Sequence, residues 1–212
     1  MSVIVVVPPE AILDAATLRG LVPGLDGVDA GHLDLLIRTA QQMIEPPDSW
    51  VGRAFGRQTL ESVTDGFCVI DERGVIPLPY PPITSIVSIT YEDRAGVVQT
   101  LPPENYRASL VGIYCGVRPA AGLSWPATSC APDAVKIRFI AGYADDSPEL
   151  LPAKHAVALS VQSLRSLARE DIFLKRESAE GIAEKEWAVS MQAEKLMQDT
   201  IERLLRPYRI YL

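Results

Sequence analysis

The chain has 212 residues, 48% of them hydrophobic, with a mean hydropathy of +0.12, so a sizeable core is available and disorder is not expected. Its formal charge of −7 argues against wrapping nucleic acid, which requires a basic face, though not against DNA sliding past an acidic channel. Proline is abundant, 17 residues against the roughly 5% of ordinary chains, so much of the chain is expected to be rigid loop.

Ser2–Val7 reads as a short β arm, and Val3–Val7 is too short and lacks the basic start of a signal peptide. Pro8-Pro9-Glu10 is expected to open a helix running to Arg19, and Asp29 to cap a second one, Ala30 to Ile44. In that second helix Leu33, Leu36, Ile37, Ala40 and Ile44 recur on one face, and Pro46-Pro47 ends it. The period then shortens. Arg57–Thr64 reads as a strand, and Asp71–Gly74 as a turn between Val69–Ile70 and Val75–Ile76.

Ile76–Pro82 carries four prolines and is expected to be extended and poorly paired. It leads into a hairpin. Ile83, Ile86, Val87, Ile89 and Tyr91 form the first strand, Glu92–Gly96 the turn, and Val97–Leu101 the return. Tyr106–Leu110 and Gly112–Val117 read as further short strands, followed by a loop carrying Trp125-Pro126. In Ala134–Tyr143, Val135, Ile137 and Phe139 alternate with Lys136, Arg138 and Ile140, the pattern of a half-buried strand. Asp145–Glu149 starts a third helix to Arg169, with Val157, Val161, Leu164 and Ala168 inward. Residues 170–188 read as an exposed arm anchored by Trp187. A last helix spans Ser190–Leu205 with Ala193, Met197, Ile201 and Leu204 inward, and Arg206-Pro207 stops it. The extended end Tyr208–Leu212 cannot bury its aromatics in its own helix. It either folds back on the core or inserts into a neighbour.

The fold class is therefore α+β: a small bundle of about four helices (9–45 and 149–205) with an antiparallel β-strand and hairpin insertion in the middle of the chain (57–143) and an extended C-terminal tail. Residues 1–206 are expected to form a single domain, followed by the tail 207–212. No phosphate-binding, dinucleotide-binding, nucleophile-elbow or zinc-protease motif occurs. Cys68, Cys115 and Cys130 lack metal-ligand spacing and read as buried free thiols. His155 has no paired nucleophile, and Asp145, Asp146 and Glu149 suit helix capping better than a cation site. Arg165, Arg169, Lys175 and Arg176 form a loose basic patch where charge complements a helix C-terminus. No catalytic residue, metal or cofactor is expected, and no stretch approaches the roughly 20 apolar residues of a membrane helix. A soluble protein made in a reducing cytoplasm is expected.

Several motifs in order carry a family resemblance. Trp50-x-Gly52-Arg53-Ala54-x-Gly56-x-Gln58-Thr59-Leu60-Glu61 precedes Leu78-Pro79-x-Pro81-Pro82-Ile83-x-Ser85-Ile86-x-Ser88-Ile89-x-Tyr91. Then follow Gln99-Thr100-Leu101, Tyr106-Arg107, Trp125-Pro126, Val135-x-Ile137-x-Phe139-x-Ala141-Gly142-Tyr143 and the closing Leu204-Leu205-x-Pro207-Tyr208-Arg209. Together they resemble the head–tail connector (adaptor) proteins of long-tailed bacteriophages and gene transfer agents, over most of the chain. The resemblance implies a virion neck protein, assembled in the host cytoplasm, that forms a closed ring of roughly twelve copies. Such a ring joins the portal of the DNA-filled head to the tail or to a stopper or tail-terminator protein, and DNA passes through it without sequence-specific binding. By that analogy Pro207, Tyr208, Arg209, Ile210, Tyr211 and Leu212 meet the portal, and Ile83, Ile86, Ile89, Tyr91 and Val97 serve subunit or tail-side contacts. Two other readings stay open: a tail-completion or stopper protein of the same particle, and a non-viral α+β protein binding a small ligand near His155.

Overall fold

Eight strands of the middle and N-terminal sequence follow in chain order. They are β1 (Ser2–Val7), β2 (Gln58–Thr64), β3 (Ile76–Pro77), β4 (Ile83–Glu92), β5 (Val98–Thr100), β6 (Tyr106–Ser109), β7 (Gly116–Pro119) and β8 (Val135–Ala141). The computed structural model describes the chain except residues 69–70, 72–73, 130, 170–176, 180–182, 186–190 and 211–212. It resolves into two compact units. One comprises Met1–Glu10, Ile44–Ser147 and Arg209–Leu212, the other Ala11–Met43 and Pro148–Tyr208.

The first unit is built on β8. Its alternation places Val135, Ile137, Phe139 and Ala141 in the core, as the sequence pattern predicts. Antiparallel pairing gives a five-stranded sheet, β1-β2-β8-β4-β5, so β1 and β5 are its edges. Leu60 of β2 and Ile86 of β4 stand opposite Phe139, and Arg138 stands opposite Glu61. That last pair places Arg138 Nη2 and Nε at 2.7 and 2.9 Å from one Glu61 oxygen. In β4, register shifts between Ile83/Ser85 and Ile86/Ser88 turn Thr84 and Val87 outward.

A second sheet, β3-β7-β6, contributes Ile76 and Val117 to the same core. Here the expectation for Ile76–Pro82 needs correction. Ile76 and Pro77 pair with β7, and the Leu78 N–H continues the ladder to the Cys115 carbonyl at 2.9 Å. Pro77 is tolerated because β3 is an edge strand with one partner. β7 begins at Gly116 rather than Gly112, and at Gly116 any Cβ would collide with Val75 and the Ile76 carbonyl.

The second unit holds helices α1 (Ala15–Leu21), α2 (Ala30–Gln42), α3 (Leu150–Arg169) and α4 (Met191–Leu205), with α2 beside α3 and α3 beside α4. The Asp29 cap and the Leu33, Ile37, Ala40 face of α2 are as expected. α1 starts later than Pro8-Pro9-Glu10 suggests. Asp14 is its N-cap, accepting the Thr17 N–H at 2.6 Å, while Ile12 and Leu13 are buried ahead of it. Those hydrogen bonds to Thr17 hold the Asp14 carboxyl below its ordinary value. On α3 the buried face is Ala153, Ala156, Val157, Ala158 and Val161, small enough for close helix approach. Met197, Ile201 and Leu204 of α4 are half-buried and Leu205 is fully buried.

Part of the arm at 170–188 is not loop. β9 (Glu177–Ala179) and β10 (Ala183–Lys185) pair antiparallel, in a register that sets Lys185 opposite Glu177. Three-residue strands are too short to show a period, which is why the sequence pattern missed them. Trp187 lies outside the described residues. After α4 the chain turns through a 3-10 segment, Arg206–Tyr208, so the tail is not extended at its start.

Candidate assembly surface

The segment between α2 and β2 is fastened by one buried carboxylate. Glu45 is 0% exposed; its Oε1 accepts the Gly56 N–H at 2.6 Å, and its Oε2 accepts the Phe55 N–H at 3.0 Å and Gln58 Nε2 at 2.8 Å. A buried carboxylate is tolerated only with such donors around it. Arg53 Nη1 donates to the Tyr143 hydroxyl at 2.6 Å, and the Phe55 and Tyr143 rings stack with centroids 6.3 Å apart. Nothing local in the sequence marks Glu45. It follows a helix and precedes two prolines, where a solvated acid is the ordinary reading.

This braced segment receives the tail. The Ile210 N–H donates to the Val51 carbonyl at 2.9 Å. Gly52 has φ +71°, and a Cβ there would stand 3.0 Å from the Ile210 carbonyl oxygen. The Arg209 guanidinium lies 5.7 Å from the centroid of the Trp50 ring, which is 39% exposed. Of the two fates open to the tail, Arg209 and Ile210 therefore take the folded-back one. Pro207 and Arg209 are exposed, Tyr208 and Ile210 half-buried, and Tyr211 and Leu212 lie outside the described residues.

The hairpin residues separate into two groups. Ile83 and Ile89 are 3% and 0% exposed, in the core, so they fasten β4 to the sheet instead of presenting themselves to a neighbour. Ile86 and Tyr91 pack against that core, Tyr91 edge-on to Phe67 at 5.7 Å, and Phe67 stacks on Trp125 at 4.6 Å. Val97 and Val98 are 52% and 70% exposed at the sheet edge. Their turn is shaped by Asp93, whose Oδ1 accepts the Ala95 and Val97 N–H groups at 2.9 and 3.1 Å and whose Oδ2 accepts Gln99 Nε2 at 2.9 Å. The Gln99 bond, then the backbone ones, hold the Asp93 carboxyl below its ordinary value. The opposite edge, β1, exposes Ile4, Val6 and Val7. Uncovered apolar edges of this kind are pairing surfaces.

Other sequence candidates are placed as follows. His155 is exposed on α3. Arg165 Nη2 donates to the Gly24 carbonyl at 2.9 Å, while Lys175 and Arg176 lie outside the described residues. Cys115 is buried, and that burial pushes its thiol up. Cys68 is exposed, contrary to the expectation of a buried thiol, because it sits in the turn after β2; Cys130 is outside the described residues. Among the described residues no cluster of His, Cys, Asp and Glu could hold a metal ion, and no helix is long and apolar enough to cross a membrane.

No protein-family model and no curated protein matches the sequence. Among solved structures, the chain is similar to one in the neck of an empty GTA particle computed with C6 symmetry, at 18% identity and a TM-score of 0.67. It is also similar to a chain in the virion of a native gene transfer agent (GTA) particle, at 17% and 0.66. A third likeness is to a chain in the neck of the native GTA particle computed with C12 symmetry, at 16% and 0.60. Each comparison covers 100% of this chain and 97% of the other, so the whole fold is shared with these chains.

Proposed function

We propose that this chain is a structural neck protein of a phage-like particle: a head–tail adaptor that forms a ring between the portal of the DNA-filled head and the tail. The observation that carries the reading is the end-to-end likeness to chains of gene transfer agent necks and virions. The C6 and C12 symmetry of those necks supports a closed ring of roughly twelve copies, in which each subunit meets two neighbours through different surfaces. The two unlike apolar edges of the main sheet suit such head-to-tail contacts, with Val97 and its neighbour Val98 at one of them.

On this reading the protein is not an enzyme. Pro207–Leu212 reach the portal, and a stopper or tail-terminator protein binds the far side. The charge of −7 favours DNA that passes without adhering. The protein works in the virion neck, after assembly in the host cytoplasm.

A pull-down with the portal ring of the same particle tests this, comparing the full chain with a truncation after Arg206. Capture of the full chain alone supports docking through the tail. Equal capture of both moves the portal contact to the helices or the hairpin. Capture of neither, with the chain monomeric at high concentration, rejects the neck reading.

A further inference from the structure

We infer that the β6–β7 hairpin is a contact finger: its apolar tip, with Arg107 and Arg118 behind it, seats in an apolar recess rimmed by carboxylates on a second copy of this chain. The inference rests on the reading above, that copies close a ring, and adds a surface through which they meet.

The tip joins β6 to β7. Val111 is 89% exposed there, and Ile113 and Tyr114 stand exposed beside it. No charged residue occurs from Ala108 to Val117. An uncharged apolar run left bare to solvent marks a contact surface. Its base, by contrast, is fixed. Cys115 and Val117 are buried, and the Leu78 N–H holds the Cys115 carbonyl at 2.9 Å. The Cys115 thiol donates to the Gly112 carbonyl at 3.4 Å, which draws the tip together where Gly112 turns at φ +79°. The finger is thus presented from a rigid base, and little of it remains to be ordered on contact.

Behind the tip, Arg107 stands directly opposite Arg118 in the ladder, and both are exposed. Residues so placed have Cβ atoms about 4.5–5.5 Å apart, and like charges there destabilise the pair. Neither guanidinium has an ion pair or hydrogen bond among the described residues. A carboxylate from another molecule relieves that repulsion and takes charge-assisted bonds from both.

Charge also names the occupant. Residues 105–120 hold these two arginines and no acid, while the chain carries −7, so the remainder is more acidic than the whole. Like-charged copies in a ring repel one another, and a basic finger against an acidic surface offsets that repulsion. A cyclic ring also requires unlike surfaces to meet, here a protrusion and a recess. A DNA backbone would answer the arginines and leave Val111 bare, whereas a protein recess takes both.

Two variants test this on portal rings of the same particle, with the mass of the complex giving the number of copies bound. Val111→Asp puts a charge on the tip. Arg107→Glu gives Arg118 a partner within its own hairpin, so the free chain should unfold no earlier than the unmodified one while the arginine pair is lost to a neighbour. Each variant is expected to need at least about tenfold more chain to complete a ring, while single copies still dock on the portal. Completion by both variants at the unmodified concentration overturns the finger and leaves the ring reading intact. No ring from the unmodified chain overturns the ring reading and the finger with it.

Benzoylphenylalanine in place of Val111, illuminated in the assembled complex, is the second measurement. Crosslinked products at multiples of the chain's own mass are expected. Products that join the chain to the portal, or to DNA in filled particles, in place of a second copy overturn the assigned occupant.

Discussion

The β4–β5 hairpin and the C-terminal tail are both candidates for contact with other proteins, yet they are held in opposite ways. The hairpin is fastened along the length of β4, with Ile83 and Ile89 driven into the core and a ladder to β8. Val97, in the turn, and Val98, in β5, stand exposed where β5 forms the edge of the sheet. The tail is held by the Val51 carbonyl and the Trp50 face. A surface of the first kind is permanent and suits a contact that stays, such as one between ring neighbours. The second kind is a seat for two consecutive residues, Arg209 and Ile210, outside any strand ladder.

Changes at four positions break or sharpen that contrast. Glu45→Ala is expected to have the largest effect. It strands the buried N–H groups of Phe55 and Gly56 and removes the brace under the segment that receives the tail, at a cost of about 2–6 kcal/mol in urea unfolding. Glu45→Gln, which keeps one acceptor, should lose less. Ile89→Ala should cost about 2–5 kcal/mol through the cavity it leaves, with faster exchange along β4. A loss below that range would mean the hairpin is less firmly anchored than its burial indicates.

Trp50→Ala should cost about 1 kcal/mol or less in global stability, while the Ile210 amide loses its protection. A loss as large as that at Ile89 would make the tail a core element and erase the contrast. Asp93→Ala should leave unfolding nearly unchanged and raise exchange at Ala95 and Val97. The Asp93 carboxyl lies below its ordinary value of 3.8, so its ionised form is the one the turn stabilises. Protection at those amides should therefore be full above pH 3.8 and be lost as pH falls through the lowered value. Pre-existing loss at neutral pH would contradict the assigned turn geometry.

These two regions also show what the sequence made legible. β8 and α2 are readable because each writes its burial into a local period, β4 from its β-branched and aromatic residues, and Asp29 announces its helix one residue ahead. The α1 boundary was misplaced because two signals competed. Pro8-Pro9-Glu10 looks like a helix start, but Ile12 and Leu13 are buried before the Asp14 cap, with the Ile12 N–H donating to Gln41 far along the chain. Glu45 was invisible for the same reason, since its donors lie 10–13 residues further on and outside any periodic element.

The tail is legible as an aromatic and apolar end without a helix to bury it, but the segment it rests on is not. Only the fold brings Trp50 and Gly52 to Arg209 and Ile210. The split within the hairpin, core for Ile89 and edge for Val97, needs the pairing order of the sheet, which a strand's own residues do not state.

The central claim is that the chain closes a ring on a portal. The most direct measurement is the mass of the complex formed when the purified chain is added to portal rings of the same particle. The account predicts a discrete complex carrying roughly twelve copies, with no ladder of open chains. A chain that stays monomeric beside the portal at high concentration, or adds in unlimited and unequal numbers, would contradict it.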